Sequence, residues 1–218
     1  GTAFSVFIAI LLNECSRKWQ KRYQTLILIP HLLSYVVVSY IAYAFLGAEN
    51  GMINNQILRP LGLDPISFYT EDKYWPFILV FVNIWKTFGY SSIIYFASII
   101  GIDRTYYEAA EVDGASAWTQ IWSITLPLLK PVLITMLLLS VGRILYSDFG
   151  LFYQVPMDSG MLFNTTNTID TFVYRGLLQT NDLGRAAAAN FIQSVMGFFL
   201  VLGANLIVRK VEKEYALF

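Results

Sequence analysis

Glu108, Glu111 and Asp113 place three carboxylates within six residues, in the stretch TYYEAAEVDGASAWTQIWSITLP from Thr105 to Pro127. Paired carboxylates are a general acid–base device, and a spacing of three puts Glu108 and Glu111 on one face of a helix. No nucleophile, base and orienting group accompanies them, so they form no recognisable catalytic constellation. Helix capping and contact with a basic groove explain them better. Thr105 followed three residues later by Glu108 has the form of a capping box, which predicts a helix beginning at Thr105. Ala109, Ala110, Ala115 and Ala117 keep that helix slim, and Gly114 supplies either a bend or a close backbone approach.

The other candidate groups are scattered. Lys86 and Arg143 are cations in long apolar runs, where an unpartnered charge is costly. Lys86 is a candidate for a solute pathway, or pairs with a carbonyl or a neighbouring subunit's acid. Arg143, near the end of its run, reaches headgroups or faces the pathway. Tyr153, Gln154 and Asn164 belong to a polar, aromatic stretch at 147–185 whose rings suit sugar C–H faces and whose amides suit hydroxyls; the alternative is a cap that only seals a pore. Asn190 and Gln193 are interhelical hydrogen-bonding groups or pathway groups. Cys15 and His31 each stand alone, giving neither a disulfide nor a metal set, and His31 reads as a helix-entry or packing residue. The chain lacks a G-x-x-x-x-G-K-[ST] phosphate cradle, so any ATP hydrolysis takes place in another polypeptide.

Membrane-spanning helices must position these side chains. Of 218 residues, 56% are hydrophobic and 14% charged, against about 25% charged in soluble domains. Net charge is zero, which leaves no basic surface for nucleic acid. Spans are expected at 26–46, 76–100, 126–146 and 186–208, each about 20 to 25 residues and long enough for ~30 Å of hydrocarbon. The opening run TAFSVFIAILL is too short to cross unless it continues upstream, and it lacks the charged start and cleavage site of a signal peptide. With Gly1 in place of methionine, an amino-terminal segment is expected to be missing. Arg17, Lys18, Lys21 and Arg22 mark 13–25 as cytoplasmic, and Arg209, Lys210 and Lys213 do so for the tail. Parity then places 105–127 in the cytoplasm and 47–75 and 147–185 outside, with Tyr74 and Trp75 as an interfacial aromatic belt. Small residues along 186–204 predict a face packed on protein.

Glu108-Ala109-Ala110, three residues, Gly114, nine residues, Ile124, one residue, Leu126-Pro127 resembles the EAA motif of the membrane subunits of binding-protein-dependent ATP-binding-cassette importers, matched at each of these positions. The likeness extends over nearly the whole chain: GTAFS at the start, Pro30-His31-Leu32-Leu33-Ser34, Gly51-Met52-Ile53-Asn54, Ile84-Trp85-Lys86, YQVP at 153–156, IDTFVYRG from Ile169 and AN-x-x-VRK at 204–210. These are similar to the sugar-importer permeases, in particular the oligo- and polysaccharide branch that includes alginate and uronate-oligomer importers.

The resemblance implies an all-α polytopic transmembrane bundle of the type I importer permease fold, a single domain over 1–218. It makes 105–127 a cytoplasmic coupling helix, with Glu108, Ala109, Ala110, Glu111, Asp113, Gly114, Ala115, Trp118, Leu126 and Pro127 contacting the ATPase. It implies a second permease, two ATPase subunits, an extracytoplasmic solute-binding protein and a saccharide as partners, and location in the bacterial inner membrane with the carboxyl end cytoplasmic. ATP and magnesium are then cofactors of the ATPases and not of this non-catalytic chain. The resemblance also implies about six spans, against four and a partial one counted here. Lys86 and Arg143, with no acid beside them in the spans, suit an acidic oligosaccharide. A secondary transporter driven by an ion gradient would carry acidic residues in the spans, which have none; a non-transporting scaffold is the other rival.

Overall fold

The computed structural model describes residues 1–180 and 183–211; Lys213 lies outside them. Helices are α1 (Thr2–Glu14), α2 (Arg17–Leu32), α3 (Tyr35–Leu46), α4 (Trp75–Ile100), α5 (Arg104–Val112), α6 (Ala117–Gln120), α7 (Leu126–Gly142), α8 (Phe163–Thr166), α9 (Ile169–Thr180) and α10 (Leu183–Val211). No strand occurs among the described residues. The segments Asp72–Ile100, Ala117–Gly142 and Leu183–Lys210 are each long and apolar enough to cross a bilayer.

The continuous span expected at 26–46 is instead two helices, α2 and α3, with the helix interrupted at residues 33–34. Two features cause the break. Pro30 lies in the last turn of α2, and Ser34 adopts an extended backbone and accepts the Val37 N–H, so it caps a new helix. The span expected to reach Tyr146 stops at Gly142, and residues 143–145 form a turn.

Three π-helical segments, Ile53–Leu58, Ile121–Thr125 and Gly150–Gln154, each end two residues before a proline, at Pro60, Pro127 and Pro156. A proline lacks the N–H that would close the turn behind it, and its ring crowds the carbonyl four residues back; a wider turn relieves both. Pro30 and Pro131 are accommodated inside α2 and α7 without such widening.

The chain divides into two compact units. One comprises Gly1–Leu32, Trp85–Gly142 and the chain from Phe198. Its core packs Val6, Ala9 and Leu12 of α1 with Tyr95, Phe96 and Ile99 of α4 and Leu129 of α7. Gln20 donates to the Leu12 carbonyl and ties α2 to the end of α1. Gly89 lets α4 lie directly on α2, since a Cβ there would fall on the Ile27 carbonyl. Beside it, the Tyr90 and His31 rings stack at 4.8 Å, which gives His31 the packing role expected of it.

The second unit comprises Leu33–Ile84 and Arg143–Gly197. Its irregular backbone is held by buried side chains. Asn54 donates to the carbonyls of Gly47, Ala48 and Ile66 and accepts the Ile66 N–H. Trp75 is 0% exposed and its indole donates to the Phe68 carbonyl at 2.6 Å. Trp75 is therefore a core residue of this unit and not part of an interfacial belt: it has an internal partner for its one polar group. Gly150 is a contact point, because a Cβ there would strike the Tyr35 ring, whose hydroxyl donates to Asp148 at 2.6 Å.

The small-residue face of α10 is only partly covered by this chain. Ala186, Gln193, Gly197 and Asn205 are buried, whereas a Cβ on Gly203 would meet nothing within 4 Å. Gly89→Ala is expected to destabilise the purified protein by about 1 to 3 kcal/mol through overpacking. Gly203→Ala is expected to leave the thermal midpoint unchanged or raise it slightly; equal effects from the two would contradict the α2–α4 contact.

Candidate functional site

The carboxylate-bearing stretch folds as a helix–turn–helix. The start of α5 differs from the capping box expected at Thr105: Asp103 is the N-cap, its carboxylate accepting the Thr105 N–H at 3.0 Å. An aspartate just upstream presents a shorter acceptor in the right place, and Thr105 becomes the second helical residue. Hydrogen bonds from the Thr105 backbone and side chain hold the Asp103 carboxyl below its usual range.

The helix ends in a complete left-handed cap. Gly114 has φ +76°, its N–H bonds to the Glu111 carbonyl at 3.0 Å, and the Ala115 N–H reaches back to the Ala110 carbonyl at 2.8 Å. A Cβ on Gly114 would meet nothing within 4 Å, so of the two roles open to it the bend is the one it plays. Ser116 then caps α6 through the Thr119 N–H. The Tyr107 hydroxyl bonds to Thr125 at 2.9 Å, which ties α5 to the π-turn ahead of Leu126 and Pro127.

Glu108, Ala109, Glu111, Asp113 and Gly114 are exposed, while Ala110 and Ala115 are half-buried. Val112 is 88% exposed and Trp118 67%. Among the described residues no cation pairs with Glu108, Glu111 or Asp113. The segment thus presents anionic and apolar groups together on a stiff, doubly capped knuckle, a surface suited to docking and not to proton transfer.

Lys86 lies about 16 Å along α4 at 1.5 Å per residue and is 7% exposed. Its ammonium donates to the carbonyls of His31 at 3.0 Å and Pro30 at 3.4 Å. These belong to the last turn of α2, where carbonyls have no intrahelical partner and a cation is favoured. Arg143 is exposed in the turn that follows α7. Lys86 belongs to the first compact unit, and Arg143 to the second with the outer candidates.

In the second unit, Gln193 is 1% exposed and donates to the Leu145 carbonyl at 2.8 Å and, at 3.5 Å, to Asp170. Asp170 also accepts from the Ser147 N–H and hydroxyl, both at 2.7 Å. Asn190 is exposed, with its carbonyl accepting from Ser194. Asn164 is exposed and donates to Asp72 at 3.1 Å. Tyr153 stacks on Phe149 at 4.8 Å, and Tyr174 meets both rings edge-on; Gln154 is half-buried in the same turn. Partial burial, then the negative charge of Asp158, raises the Tyr153 hydroxyl above its ordinary pKa. A nearby cavity of about 350 Å³, lined by Pro76, Leu79, Val80, Leu151 and Phe152 with Asn83 and Thr165 as its polar groups, includes none of the candidate residues.

Arg175 is a positioning residue that spacing did not reveal. Its guanidinium pairs with Asp158 at 2.7 Å, donates to Asn167 and Thr171, and lies 4.1 Å from the Phe163 ring centre. Met157 and Asp158 both have left-handed backbones, with φ +55° and +48°. This is strain that a turn keeps only when its surroundings hold it, and Arg175 supplies the hold. The available signal was one lone cation in the apolar run IDTFVYRG.

The fold and these sites define a multi-pass, all-α membrane protein with an exposed, capped helix–turn–helix that leads into its second long apolar helix. The chain belongs to the family described as binding-protein-dependent transport system inner membrane component, whose model matches residues 1–213. It is 32% identical over 210 residues to Protein LplB of Bacillus subtilis strain 168, covering 96% of this chain and 65% of LplB. It is 34% identical over 215 residues to the polygalacturonan/rhamnogalacturonan transport system permease protein YteP of the same organism, covering 96% of this chain and 64% of YteP. The chain therefore spans just under two thirds of the length of these relatives. Among solved structures, it superposes on a chain of a bacterial ABC transporter involved in import of the acidic polysaccharide alginate, with TM-score 0.89 and 33% identity, over 97% of this chain and 73% of that one. The expected type I importer permease fold is thus the fold observed.

Three measurements check the assignments. Lys86→Met is expected to destabilise the purified protein by about 1.5 to 3 kcal/mol, the loss of hydrogen bonds to a charged donor, with Lys86→Arg closer to wild type. Gly114→Ala is expected to cost about 1 to 2 kcal/mol locally, read as faster amide exchange at Ala115 with the core amides unchanged. Because its carboxyl is depressed, Asp103 caps α5 fully above the ordinary carboxylate range. The cap is lost only as pH falls through the lowered value, a dependence that Asp103→Asn should remove.

Proposed function

We propose that this chain is the non-catalytic permease subunit of an ATP-driven importer, forming half of a translocation path that moves an oligo- or polysaccharide by alternating access. Its partners in that reading are a second permease, two ATPase subunits that bind ATP and magnesium, and an extracytoplasmic solute-binding protein. The observation that carries the reading is the knuckle at Arg104–Gln120. It is stiffened by caps at its start, through Asp103, and at its turn, through Gly114 and Ser116, leaves Glu108, Glu111, Asp113, Val112 and Trp118 uncovered, and continues through Leu126 and Pro127 into the spanning helix α7. A push on such a segment reaches the span with little lost in bending. Closure of the ATPases must bind one pore state better than the other for the push to do work.

A crystal structure of the alginate ABC transporter with an alginate pentasaccharide-bound periplasmic protein contains a chain similar to this one, with TM-score 0.88 and 34% identity, which supports the solute-binding protein as a partner. The substrate we favour is an acidic, uronate-type oligomer. Alginate and polygalacturonan are both uronate polymers, and both are named for proteins similar to this chain. Arg143, exposed beyond α7, is the cation placed to meet such a solute. Lys86, engaged by helix-end carbonyls, acts in this reading by holding the broken span. Tyr153, with Phe149 and Tyr174, offers ring faces, while Gln154, Asn164, Asn190 and Gln193 offer amides or hold the turns that carry them. The cations of α2 and of the end of α10 support a cytoplasmic carboxyl end.

Reconstituted complex is expected to accumulate uronate oligomers only with ATP, and to prefer them to neutral oligomers of equal length. Gly114→Trp is expected to abolish uptake while leaving basal ATPase activity measurable. Uptake that survives removal of ATP would instead indicate an ion-gradient transporter, and no uptake under any condition a scaffold. Equal uptake of neutral and acidic oligomers would remove the acidic substrate alone.

A further inference from the structure

The first two turns of α2 carry a surface that neither the coupling knuckle nor the outer segment uses. Arg17, Lys18, Lys21 and Arg22 are all exposed, and among the described residues none of the four forms an ion pair. Helix α2 contains no acid; the adjoining Glu14, exposed at the end of α1, is the one carboxylate nearby in sequence. Two exposed aromatic rings lie among the cations. Trp19 and Tyr23 are near-parallel at 6.1 Å, and the Arg22 guanidinium sits 4.9 Å from the Trp19 ring centre. Beyond Tyr23 the exposed residues of the same helix change character, to Leu26, Ile29 and Leu32.

Cations interleaved with aromatic rings over the first two turns, then exposed aliphatic side chains further along the same helix, is the order of environments met on passing from headgroups into hydrocarbon. The helix is anchored, through Gln20 to α1 and through Ile27 to α4. The patch is therefore held in place on the rest of its unit. Four uncompensated cations there need counter-charge, and the bilayer that the neighbouring helices cross carries it in anionic headgroups, worth a several-fold gain in local concentration for each cation.

We propose that Arg17, Lys18, Lys21 and Arg22, with Trp19 and Tyr23 as the interfacial rings, form a binding surface for the phosphate headgroups of anionic phospholipid. The surface selects phosphatidylglycerol-type over zwitterionic lipid and fixes the position of α2 below its break. This inference does not depend on what the complex transports.

The test uses the assembled complex in nanodiscs that contain phosphatidylcholine with increasing phosphatidylglycerol, the lipid carrying brominated chains in either class. Quenching of Trp19, taken as the difference from Trp19→Phe, is expected to rise more steeply with brominated phosphatidylglycerol than with brominated phosphatidylcholine. The variant with all four cations changed to Gln is expected to lose that preference, with retained phosphatidylglycerol after purification falling about tenfold. Lys18→Arg with Lys21→Arg is expected to keep it. Should the fourfold variant fail to assemble, Lys18→Gln with Lys21→Gln provides the same comparison at half the charge loss. Equal quenching by the two lipids in wild type would overturn the proposal. So would unchanged lipid retention accompanied by loss of the ATPase subunits in the Gln variants, which would make the patch a protein contact.

Discussion

A helix that stops inside a bilayer leaves carbonyls with no water to meet, and here a buried ammonium meets them. Lys86 and the last turn of α2 solve one another's problem: the cation would be costly alone at that depth, and so would the orphan carbonyls of Pro30 and His31. Removing the lysine leaves both carbonyls without this donor. Gly89, one turn further along α4, brings the two helices close enough for the contact. The break after Leu32 is thus a specified feature, built from a proline that ends one helix, a serine that starts the next and a lysine from a third element that satisfies what the proline leaves open.

The second unit repeats the principle with neutral and anionic side chains. Loops between spans are long and carry few regular hydrogen bonds, so side chains do the work of secondary structure. Asn54 acts as a small piece of sheet for Ile66, Asp148 caps the turn that Tyr35 packs against, and Asp170 binds Ser147 while Gln193 closes the Leu145 carbonyl. Several of these groups also resemble a sugar-binding inventory. Amides and carboxylates that are already engaged hold geometry, Asn164 on Asp72 among them, whereas the Asn190 side chain is exposed.

Much of this was legible in the chain, for reasons that differ by element. Long apolar runs give α4, α7 and α10 because a bilayer imposes length and composition together. The motif from Glu108 to Pro127 was legible because its glycine needs a left-handed backbone and its proline a helix start near a break. Burial of a rare polar residue was harder to read. Gln193 and Lys86 each stood out as polar groups in apolar surroundings, but a side chain bound for a pathway and one bound for a helix-end carbonyl look the same until the third dimension supplies the partner. Trp75 is the converse: its position at the end of a span suggested an interface, and the Phe68 carbonyl, seven residues back, drew it inward. Arg175 escaped notice because its four partners, Asp158, Phe163, Asn167 and Thr171, are spread over fourteen positions with no periodicity.

The knuckle makes the strongest link between local chemistry and the proposed role. α5, at nine residues, is marginal on its own in water, and α6 is the first turn of the continuous helical segment Ala117–Gly142. What makes them stiff is that the orphan groups at their junction are taken up locally, by Asp103 at the start, the left-handed Gly114 cap in the middle and Ser116 after it. Tyr107 then fastens the first helix to the π-turn that leads into α7. With those bonds in place, the exposed residues between them need not be ordered by a partner before they can be pushed by one. In the proposed role, binding energy that would otherwise go to ordering the segment would remain available to move the span, so local caps suit a mechanical joint at a membrane surface better than contacts that form only on binding.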